Sequence, residues 1–512
     1  MSSAVKTNKR ITKNALMLYL RQLVALFINL YTVRLVLELL GVEDYGIYAV
    51  IGGLVTILSF LSATMASATQ RFFSFALGQN DLEKLKRLFS TNVIIYSSIA
   101  LIGFVLLESV GLWYVENYLN LPIDRFESAK FLFHFSVLTF ISTIIMTPFL
   151  SIIIAHEDMQ IYAFASIAES IMKLSTVFVL MYTSWDNLEA YGVLLFIVSI
   201  LITVSYISIC MNKYLECQFR KLYWDKNLVR EVLNFTGWTL FGAITTVGRN
   251  QAITILINQY FNPTTVAARA ISNSITNQVI IFSANFNVGL YPPIIKKYSS
   301  GDRVGMFSLI SNGSKITFFL MWVLALPLFI QMDVILSLWL KNPPPEAVLF
   351  TRLALIEAVI NSISLPIATA ARAPGKMKLY ELTLGSIQVL IFIAAWTILE
   401  MGGAAYYVYV VAISANVVMF IVRLLIIKAL IEFPLQPYVF RVFLPILSVA
   451  LFSSIPSVMV YLSLSNDLIS FAISVFSCVM FSSVSMYFLG LDRESREKIR
   501  MVIIKKINRE LV

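Results

Sequence analysis

Charged residues are scarce in this chain of 512 residues, since Asp, Glu, Lys and Arg together make up only 13% of it. Soluble proteins carry about 25% charged residues and about 45–50% apolar ones. Here the apolar share is 58%, so an ordinary soluble domain is excluded. The composition instead predicts a chain that crosses a membrane many times.

Residues that serve as metal ligands or nucleophiles are equally scarce. The chain has two histidines, His134 and His156, and three cysteines, Cys210, Cys217 and Cys478. Their spacing provides neither a disulfide framework nor a zinc-type ligand set. Neither a phosphate-binding loop nor a dinucleotide-binding glycine motif occurs at a strand-to-helix junction. We therefore expect no metal, no cofactor, no ATPase domain and no enzymatic activity.

Long apolar stretches fill most of the sequence. A spanning helix needs about 20 apolar residues, and fourteen stretches approach or exceed this length. The predicted spans are 14–38, 45–70, 91–115, 131–154, 159–183, 190–212, 235–259, 264–290, 307–330, 347–371, 379–399, 404–427, 439–463 and 468–490. The predicted fold class is an all-α, polytopic membrane protein with about 14 transmembrane helices.

The basic residues behind the net charge of +10 are distributed unequally between the two sides of the membrane. Most basic residues between spans lie in loops on the same side as the N-terminus, including the stretch 213–230 and the tail 493–509. Only Arg125, Lys130 and Lys341 fall in the opposite loops. The positive-inside rule then predicts that both termini are cytoplasmic. Because topology accounts for the basic excess, a nucleic-acid partner is not predicted. A cleavable signal peptide is not predicted either, since the first apolar segment is too long.

The longest polar interval between spans, residues 213–234, separates six spans from eight. Its mixture of aromatic and basic residues predicts an amphipathic helix on the inner leaflet. A shift of 221 residues aligns 41–93 with 262–314 without gaps, which is a weak parallel repeat. We therefore predict two six-helix lobes related by an axis along the membrane normal, which rock to give alternating access. The predicted domains are a first lobe at 1–212, a cytoplasmic linker at 213–234, a second lobe at 235–433, and two further helices with a basic cytoplasmic tail at 434–512.

Several stretches have the local patterns of a known family. They are LELLGVEDYGIYAVIGG (37–53), ATQRFFSFALGQNDLEKLKRLFSTN (68–92), the stretch 234–302 that begins NFTGWTLFGAITTVGRNQ, and ARAPGKMKLYELTLGSIQ (371–388). These stretches resemble the Wzx-type lipid-linked oligosaccharide (O-antigen) flippases of bacteria. That family is the polysaccharide branch of a superfamily shared with multidrug and toxin exporters and the lipid II flippase. The resemblance covers most of the chain and fades in the last two helices.

The resemblance implies a substrate and a location. The substrate would be an undecaprenyl-diphosphate-linked oligosaccharide, moved from the cytoplasmic to the outer leaflet of the bacterial inner membrane. Two six-helix lobes would enclose a central cavity. Membrane lipids and a polysaccharide polymerase would be the other partners. The motifs are more specific for the branch of the superfamily than for the sugar that is carried.

Basic side chains lie deep inside apolar spans, although each such charge costs about 3 kcal/mol on insertion scales. Arg249, near the middle of span 7, is the first candidate to bind the diphosphate, because a guanidinium offers a bidentate fork to phosphate oxygens. The alternative is an ion pair between Arg249 and Glu357. Arg21 in span 1 would face Arg249 from the other lobe. Lys315 in span 9 is a further cavity candidate, unless its long side chain reaches the membrane surface instead.

Two carboxylates complete this set of charges. Glu169 precedes Lys173 by four residues, a spacing that favours a neutralised pair on one helix; the alternative is that Lys173 takes part in proton or ion coupling. Glu357 shares a face of span 10 with Asn361. It would either bind a coupling cation or hold Arg249.

Span 8 carries a stripe of polar residues at helical spacing, which includes Arg269, Asn273, Thr276 and Asn277. Stacked polar groups on one face of a membrane helix suit either a wet cavity or hydrogen bonds to a neighbouring helix. Amide side chains also suit sugars, whose hydroxyl groups need donors and acceptors. We therefore predict that this stripe lines the substrate cavity, with helix packing as the alternative.

Two functions of the same architecture remain open: a lipid-linked oligosaccharide flippase and a multidrug or cation exporter. The charge of the residues that line the cavity distinguishes the two functions, because a cationic drug needs carboxylates and an anionic diphosphate needs Arg or Lys. Within the spans, basic residues outnumber the three clear carboxylates, Glu108, Glu169 and Glu357, which favours the anion. A membrane-embedded glycosyltransferase or polymerase would need large outer loops with catalytic groups, and the predicted outer loops are short.

Overall fold

The structure is a computed structural model that describes most of the chain. The described residues are 2–57, 59–119, 122–219, 223–340, 342–464, 467–493, 496–497 and 500, with side chains except at 2–9, 11–12, 30, 42 and 53–59. Three sequence-based expectations lie outside these ranges: Lys341 of an outer loop, residues 220–222 of the linker, and the basic tail from 501 onwards.

All regular structure in the described part of the chain is helical. Twelve helical stretches within these residues are long and apolar enough to cross a membrane. The chain is therefore an all-α, multi-pass membrane protein, which confirms the predicted fold class. Its described part contains twelve such stretches, where about 14 spans were predicted for the chain. The described residues of the predicted span 45–70, and the whole of 264–290, are also helical but are not among the twelve. For 264–290 the reason is its polar stripe, which makes the helix less apolar than its neighbours.

Contacts divide the chain into two compact units, and the first comprises Met1–Ala243 and Tyr291–Asp302. Its complete helices are α1 (Ser2–Ile57), α2 (Ser59–Gln79), α3 (Leu82–Leu106), α4 (Leu112–Tyr118), α5 (Phe126–Ala155), α6 (Met159–Leu180) and α7 (Asn187–Lys213). Gly41 interrupts α1 with a φ of 76°. This left-handed conformation, which glycine adopts without a Cβ clash, separates the first two predicted spans.

The core of the first unit is built around α5, which packs against α2, α3 and α7. Leu132 and Phe133 of α5 are almost completely buried there, together with Ile51 of α1. A Cβ at Gly192 of α7 would lie 2.9 Å from Leu132 Cδ1. The missing side chain therefore permits the close approach of α7 and α5 that is typical of small residues in membrane helices.

An ion cluster ties together three segments of the first unit where α5 and α7 begin. Arg125 Nε donates to Asp44 Oδ1 at 2.7 Å, and Arg125 Nη1 donates to Asp186 Oδ2 at 2.7 Å. Asp186 also caps α7, because its carboxylate accepts hydrogen bonds from the backbone N–H groups of Leu188 and Glu189. Burial alone would raise the pKa of Asp186, but the hydrogen bonds from Arg125 and the backbone outweigh it and leave the pKa below its usual range.

A second cluster lies at the opposite ends of these helices. Glu157, in the turn after α5, has a φ of 64° and is 8% exposed. Its carboxylate pairs with Lys296 Nζ at 2.7 Å and with Arg10 Nε at 3.3 Å. Close by, a Cβ at Gly78 would lie 2.6 Å from the Lys296 carbonyl oxygen and 1.9 Å from Ser299 Oγ. The C-terminal end of α2 therefore approaches the backbone of residues 296–299 more closely than any side chain would allow.

The second unit comprises Ile244–Leu290 and Arg303–Val512. Its helices are the C-terminal part of α8 (Lys226–Tyr260) and most of α9 (Pro263–Ser299), then α10 (Arg303–Ile330), α11 (Met332–Trp339), α12 (Ala347–Arg372), α13 (Met377–Glu400), α14 (Tyr407–Ile431), α15 (Leu435–Tyr438), α16 (Leu444–Ser463) and α17 (Leu468–Ser485). Here α12 packs against both α10 and α14, while α16 packs against α17. Short π-helical segments precede α16 (Val439–Phe443) and follow α17 (Met486–Gly490).

The division of contacts between the units falls within α8 and α9. Within the predicted linker 213–234, residues 214–219 and 223–225 are not helical. Residues 226–234 form the first turns of α8. This helix begins after Asp225, whose carboxylate accepts hydrogen bonds from Asn227 N and Leu228 N. The described part of the linker therefore contains no separate amphipathic helix.

Candidate functional site

The second unit contains a polar cavity of about 240 Å³ that is lined by α8, α9, α12 and α14. Its polar lining residues are Thr246, Arg249, Asn250, Arg269, Asn273, Thr276, Asn277, Glu357, Asn361 and Tyr409. Most of the predicted substrate-binding residues thus meet at one place. We refer to this space as the Arg249 cavity.

Helical spacing explains why the polar stripe of α9 reaches the cavity. Asn262 Oδ1 accepts a hydrogen bond from Thr265 N at 2.9 Å, and Pro263 follows at the first helical position. This cap fixes where α9 begins. Residues that follow at intervals of three and four then share one face, which brings Arg269, Asn273 and Asn277 to the same wall.

Arg249 of α8 and Glu357 of α12 form a loose ion pair. Arg249 Nη2 lies 3.5 Å from Glu357 Oε1 and donates a shorter bond of 2.8 Å to Asn250 Oδ1. Asn416 of α14 donates to the same Glu357 oxygen at 2.9 Å. Glu357 is therefore held by an amide as well as by a charge, and neither partner saturates its carboxylate.

The remaining donors of Arg249 have no partner within the described residues. Its Nε and Nη1 atoms are buried and make no hydrogen bond there, and the same holds for Thr276 Oγ1 across the cavity. A buried donor without a partner costs about 1–3 kcal/mol, and more when it carries charge. Arg249 lines the polar cavity, so an anion bound there would satisfy these donors once the guanidinium turned toward it.

Arg269 adds a second guanidinium to the wall and is 6% exposed. Arg269 Nε donates to Thr254 Oγ1 at 3.1 Å, and its guanidinium carbon lies 5.5 Å from the centre of the Tyr409 ring. These contacts hold the side chain in place. The cavity wall thus contains two arginines and one carboxylate, an excess of positive charge that favours an anionic group.

The other predicted site residues lie elsewhere. Lys315 does not reach the Arg249 cavity but lines a separate space near Gly490. Arg21 belongs to the first unit, where its guanidinium lies over the ring of Tyr162, 4.5 Å from the ring centre. Lys173 Nζ and Glu169 Oε1, also in the first unit, are 2.6 Å apart.

Tyr409 lines the cavity, while Thr254 and Asn416 contact its residues Arg269 and Glu357. None of these three roles was predicted from the sequence. Asn416 had a readable signal, because it is an isolated amide inside the apolar span 404–427. A buried amide in a membrane helix usually hydrogen-bonds to a neighbouring helix. Thr254 and Tyr409 gave no such signal, since both residue types are common in membrane helices.

Comparison with protein families gives one match: residues 239–397 match the MatE family model. The matched segment includes Arg249, Arg269 and Glu357, and it covers less than half of the chain. The search of curated proteins finds no match.

Solved structures with the same architecture are found. An outward-facing multidrug resistance MATE family transporter of the MOP superfamily superposes with a TM-score of 0.74 at 11% identity, over 83% of this chain and 96% of its own. The Vibrio cholerae MATE transporter VcmN, in mutant form, gives a TM-score of 0.65 at 14% identity, over 84% and 98% of the two chains. At such identities the similarity concerns the fold alone. The chain therefore has the fold of the MATE transporters, and its residues 239–397 match the MatE model itself.

Proposed function

We propose that the protein is a membrane transporter that moves an undecaprenyl-diphosphate-linked oligosaccharide from the cytoplasmic to the outer leaflet of the bacterial inner membrane. The observation that carries the proposal is the state of the Arg249 guanidinium. Its Nε and Nη1 atoms are buried and donate no hydrogen bond to any described residue. Phosphate oxygens match the geometry of a guanidinium fork. A diphosphate would therefore supply the acceptors that Arg249 lacks.

The size of the Arg249 cavity supports recognition of part of a larger substrate. Its volume of about 240 Å³ is below the range of about 300–1,000 Å³ that is typical of sites for whole drug-sized ligands. A diphosphate and the first sugar are a better match than a complete oligosaccharide. In this proposal Arg249 and Arg269 bind the diphosphate, while Asn273 and Asn277 bind hydroxyl groups of the sugar.

Glu357 gives this site a means of release. Its distance of 3.5 Å from Arg249 Nη2 is long for a charge-assisted hydrogen bond, which is usually about 2.7–2.9 Å. A phosphate would compete with Glu357 for the guanidinium, and Asn416 would continue to hold the carboxylate when the phosphate is bound. We propose that this exchange accompanies alternating access, in which the cationic cavity opens to one leaflet and then to the other.

The resemblance of 37–53, 68–92, 234–302 and 371–388 to polysaccharide flippases supports the same substrate. It also supports a location in the inner membrane with both termini in the cytoplasm, and a polysaccharide polymerase that receives the product. An ion gradient or consumption of the product would drive the net direction.

A multidrug exporter is the second candidate, and two observations favour it. Glu357 could bind a cationic substrate or a coupling cation, because it is the one carboxylate in the described wall of the Arg249 cavity. The solved structures with this fold include a multidrug resistance transporter. Against it stands the excess of guanidinium groups, which repel a cation.

Reconstitution separates the two candidates. The purified protein would be placed in liposomes with a short polyprenyl-diphosphate-linked sugar that carries a fluorophore on the sugar. Dithionite, which does not cross the membrane, quenches only the outer leaflet. We expect protein-dependent loss of the protected inner signal without any ion gradient. Glu357→Gln, which weakens the competitor for Arg249, should slow this loss but not abolish it. Absence of this loss, combined with gradient-driven uptake of ethidium that Glu357→Gln abolishes, would favour the exporter.

A further inference from the structure

A second cavity of about 630 Å³ lies in the second unit, where α10 and α16 begin and α17 ends. It is separate from the Arg249 cavity, since the two share no lining residue. Its polar lining consists of Ser308, Ser311, Asn312, Lys315, Tyr438, Arg441 and Asp492. Phe307 and Leu489 are among the apolar residues of the same wall. We refer to this space as the Lys315 cavity.

The surroundings of Lys315 indicate a bound ligand. It is only 8% exposed, and its Nζ makes one long hydrogen bond of 3.4 Å to the carbonyl oxygen of Gly490. An ammonium group has three donors, and in the described chain no carboxylate lies within 4.0 Å of this one. A buried charge that is neither paired nor fully hydrogen-bonded is costly. An acceptor of opposite charge in the cavity would remove this cost.

The other charges of the cavity define that acceptor. Arg441 is exposed and shares the cavity with Lys315, and Asp492 contributes one carboxylate to the wall. Two cations and one anion leave a single net positive charge. A phosphodiester carries one negative charge and would neutralise it, and its oxygens suit both an ammonium and a guanidinium.

The position of the cavity suits a lipid headgroup. The start of α10, the start of α16 and the end of α17 lie at one edge of apolar helices that are long enough to span a membrane, which is the level of the headgroups. Polar and charged groups together with apolar walls match a phosphate that is attached to acyl chains. Basic pockets between membrane helices are a common form of headgroup site.

We propose that the Lys315 cavity binds the phosphate group of an anionic phospholipid, which Lys315 and Arg441 hold from two sides. Such a site is a further binding site on the protein and does not depend on the substrate of the Arg249 cavity. Free inorganic phosphate presents the same chemistry, so the test includes it as a separate ligand.

Thermal unfolding of the delipidated, detergent-solubilised protein is the test. Phosphatidylglycerol should raise the unfolding temperature by about 3 °C or more, because a ligand that binds only the folded state stabilises it. Zwitterionic phosphatidylcholine should have little effect. Arg441→Gln should weaken phosphatidylglycerol binding about tenfold, as expected for the loss of a charge-assisted contact. Lys428→Gln, which removes an exposed lysine outside the cavity, should leave the shift unchanged.

The stability of Lys315→Met, measured with and without lipid, distinguishes a lysine that binds lipid from one with a purely structural role. Without lipid this variant should be at least as stable as the unchanged protein, since it removes an uncompensated buried charge, and phosphatidylglycerol should no longer stabilise it. Should Lys315→Met fail to accumulate, Arg441→Gln decides alone, because Arg441 is exposed. Inorganic phosphate that reproduces the whole shift, and loses it in Arg441→Gln, would assign the site to free phosphate. An equal lipid-induced shift in the unchanged protein and in Arg441→Gln would overturn the proposal.

Discussion

Replacing Arg249 by alanine removes the guanidinium that the proposed diphosphate would contact. The Nε and Nη1 atoms of Arg249 are the donors that no described residue uses, so both would be free to bond phosphate oxygens when the side chain turns into the cavity. Hydrogen bonds to a charged partner contribute about 1.5–3 kcal/mol each. Two of them therefore give at least about 3 kcal/mol. Since about 1.4 kcal/mol corresponds to a factor of ten in rate, we expect flipping in Arg249→Ala to fall at least about 100-fold.

Arg249→Lys should retain part of the activity. Lysine keeps a positive charge but lacks the planar fork, so it can replace one contact and not two. We expect a rate about tenfold below that of the unchanged protein. The measurement is the initial rate at which the protected fluorescence becomes accessible to dithionite, in proteoliposomes with matched amounts of protein.

The matched control is Arg34→Ala. Arg34 is also an arginine of a predicted span, but its side chain is 77% exposed and pairs with Glu38 on the same helix. Such exposed pairs contribute little, so this variant should flip at nearly the normal rate. Normal flipping by Arg249→Ala, at equal protein levels, would exclude Arg249 from the substrate site and refute the reasoning.

Three further predictions concern other parts of the chain. Glu169→Ala and Lys173→Ala should each lower protein abundance in the membrane, because each leaves an unpaired charge, whereas the double variant should recover it; a double variant no more abundant than the single ones would contradict the pairing. Single cysteines at Asn273 and Asn277, in a background without the native cysteines, should react with membrane-impermeant thiol reagents, and substrate should change their labelling; complete protection in an active variant would mean that these residues lie in a packed interface. Reporter fusions test the orientation. Fusions after residues 42, 120, 187 and 467 should be extracytoplasmic, and fusions after 80, 225 and 300 should be cytoplasmic. Two or more reversed reporters would refute the orientation.

The helical architecture could be read from the sequence because apolar length determines it directly. The shared wall of Arg269, Asn273 and Asn277 was also predictable, since residues three or four positions apart on a helix necessarily face the same way. The contact of Lys173 with Glu169 has the same origin. These features depend on one helix at a time.

Features that depend on which helices become neighbours were mostly not predictable, apart from the contact of Arg249 with Glu357, where two opposite charges in apolar spans suggested each other. The depth of Lys315 in its span was readable, but the segment near Gly490 that packs beside it was not. The sequence therefore could not show that Lys315 lines a space separate from the Arg249 cavity. Asn416 is an analogous case, because its role depends on the packing of α14 beside Glu357 of α12. A single sequence specifies the faces of its helices but not the pairs that they form.

The close approach at Gly78 has a consequence for suppressor genetics. The nearest atom to an added Cβ is Ser299 Oγ, but the Lys296 carbonyl oxygen and Cα follow at 2.6 and 2.8 Å. A second-site change such as Ser299→Gly would therefore relieve only the first of these clashes, and the backbone of residue 296 would still be too close. A selection that starts from Gly78→Ala should recover mainly true revertants at codon 78, because no single side-chain change moves a main-chain carbonyl.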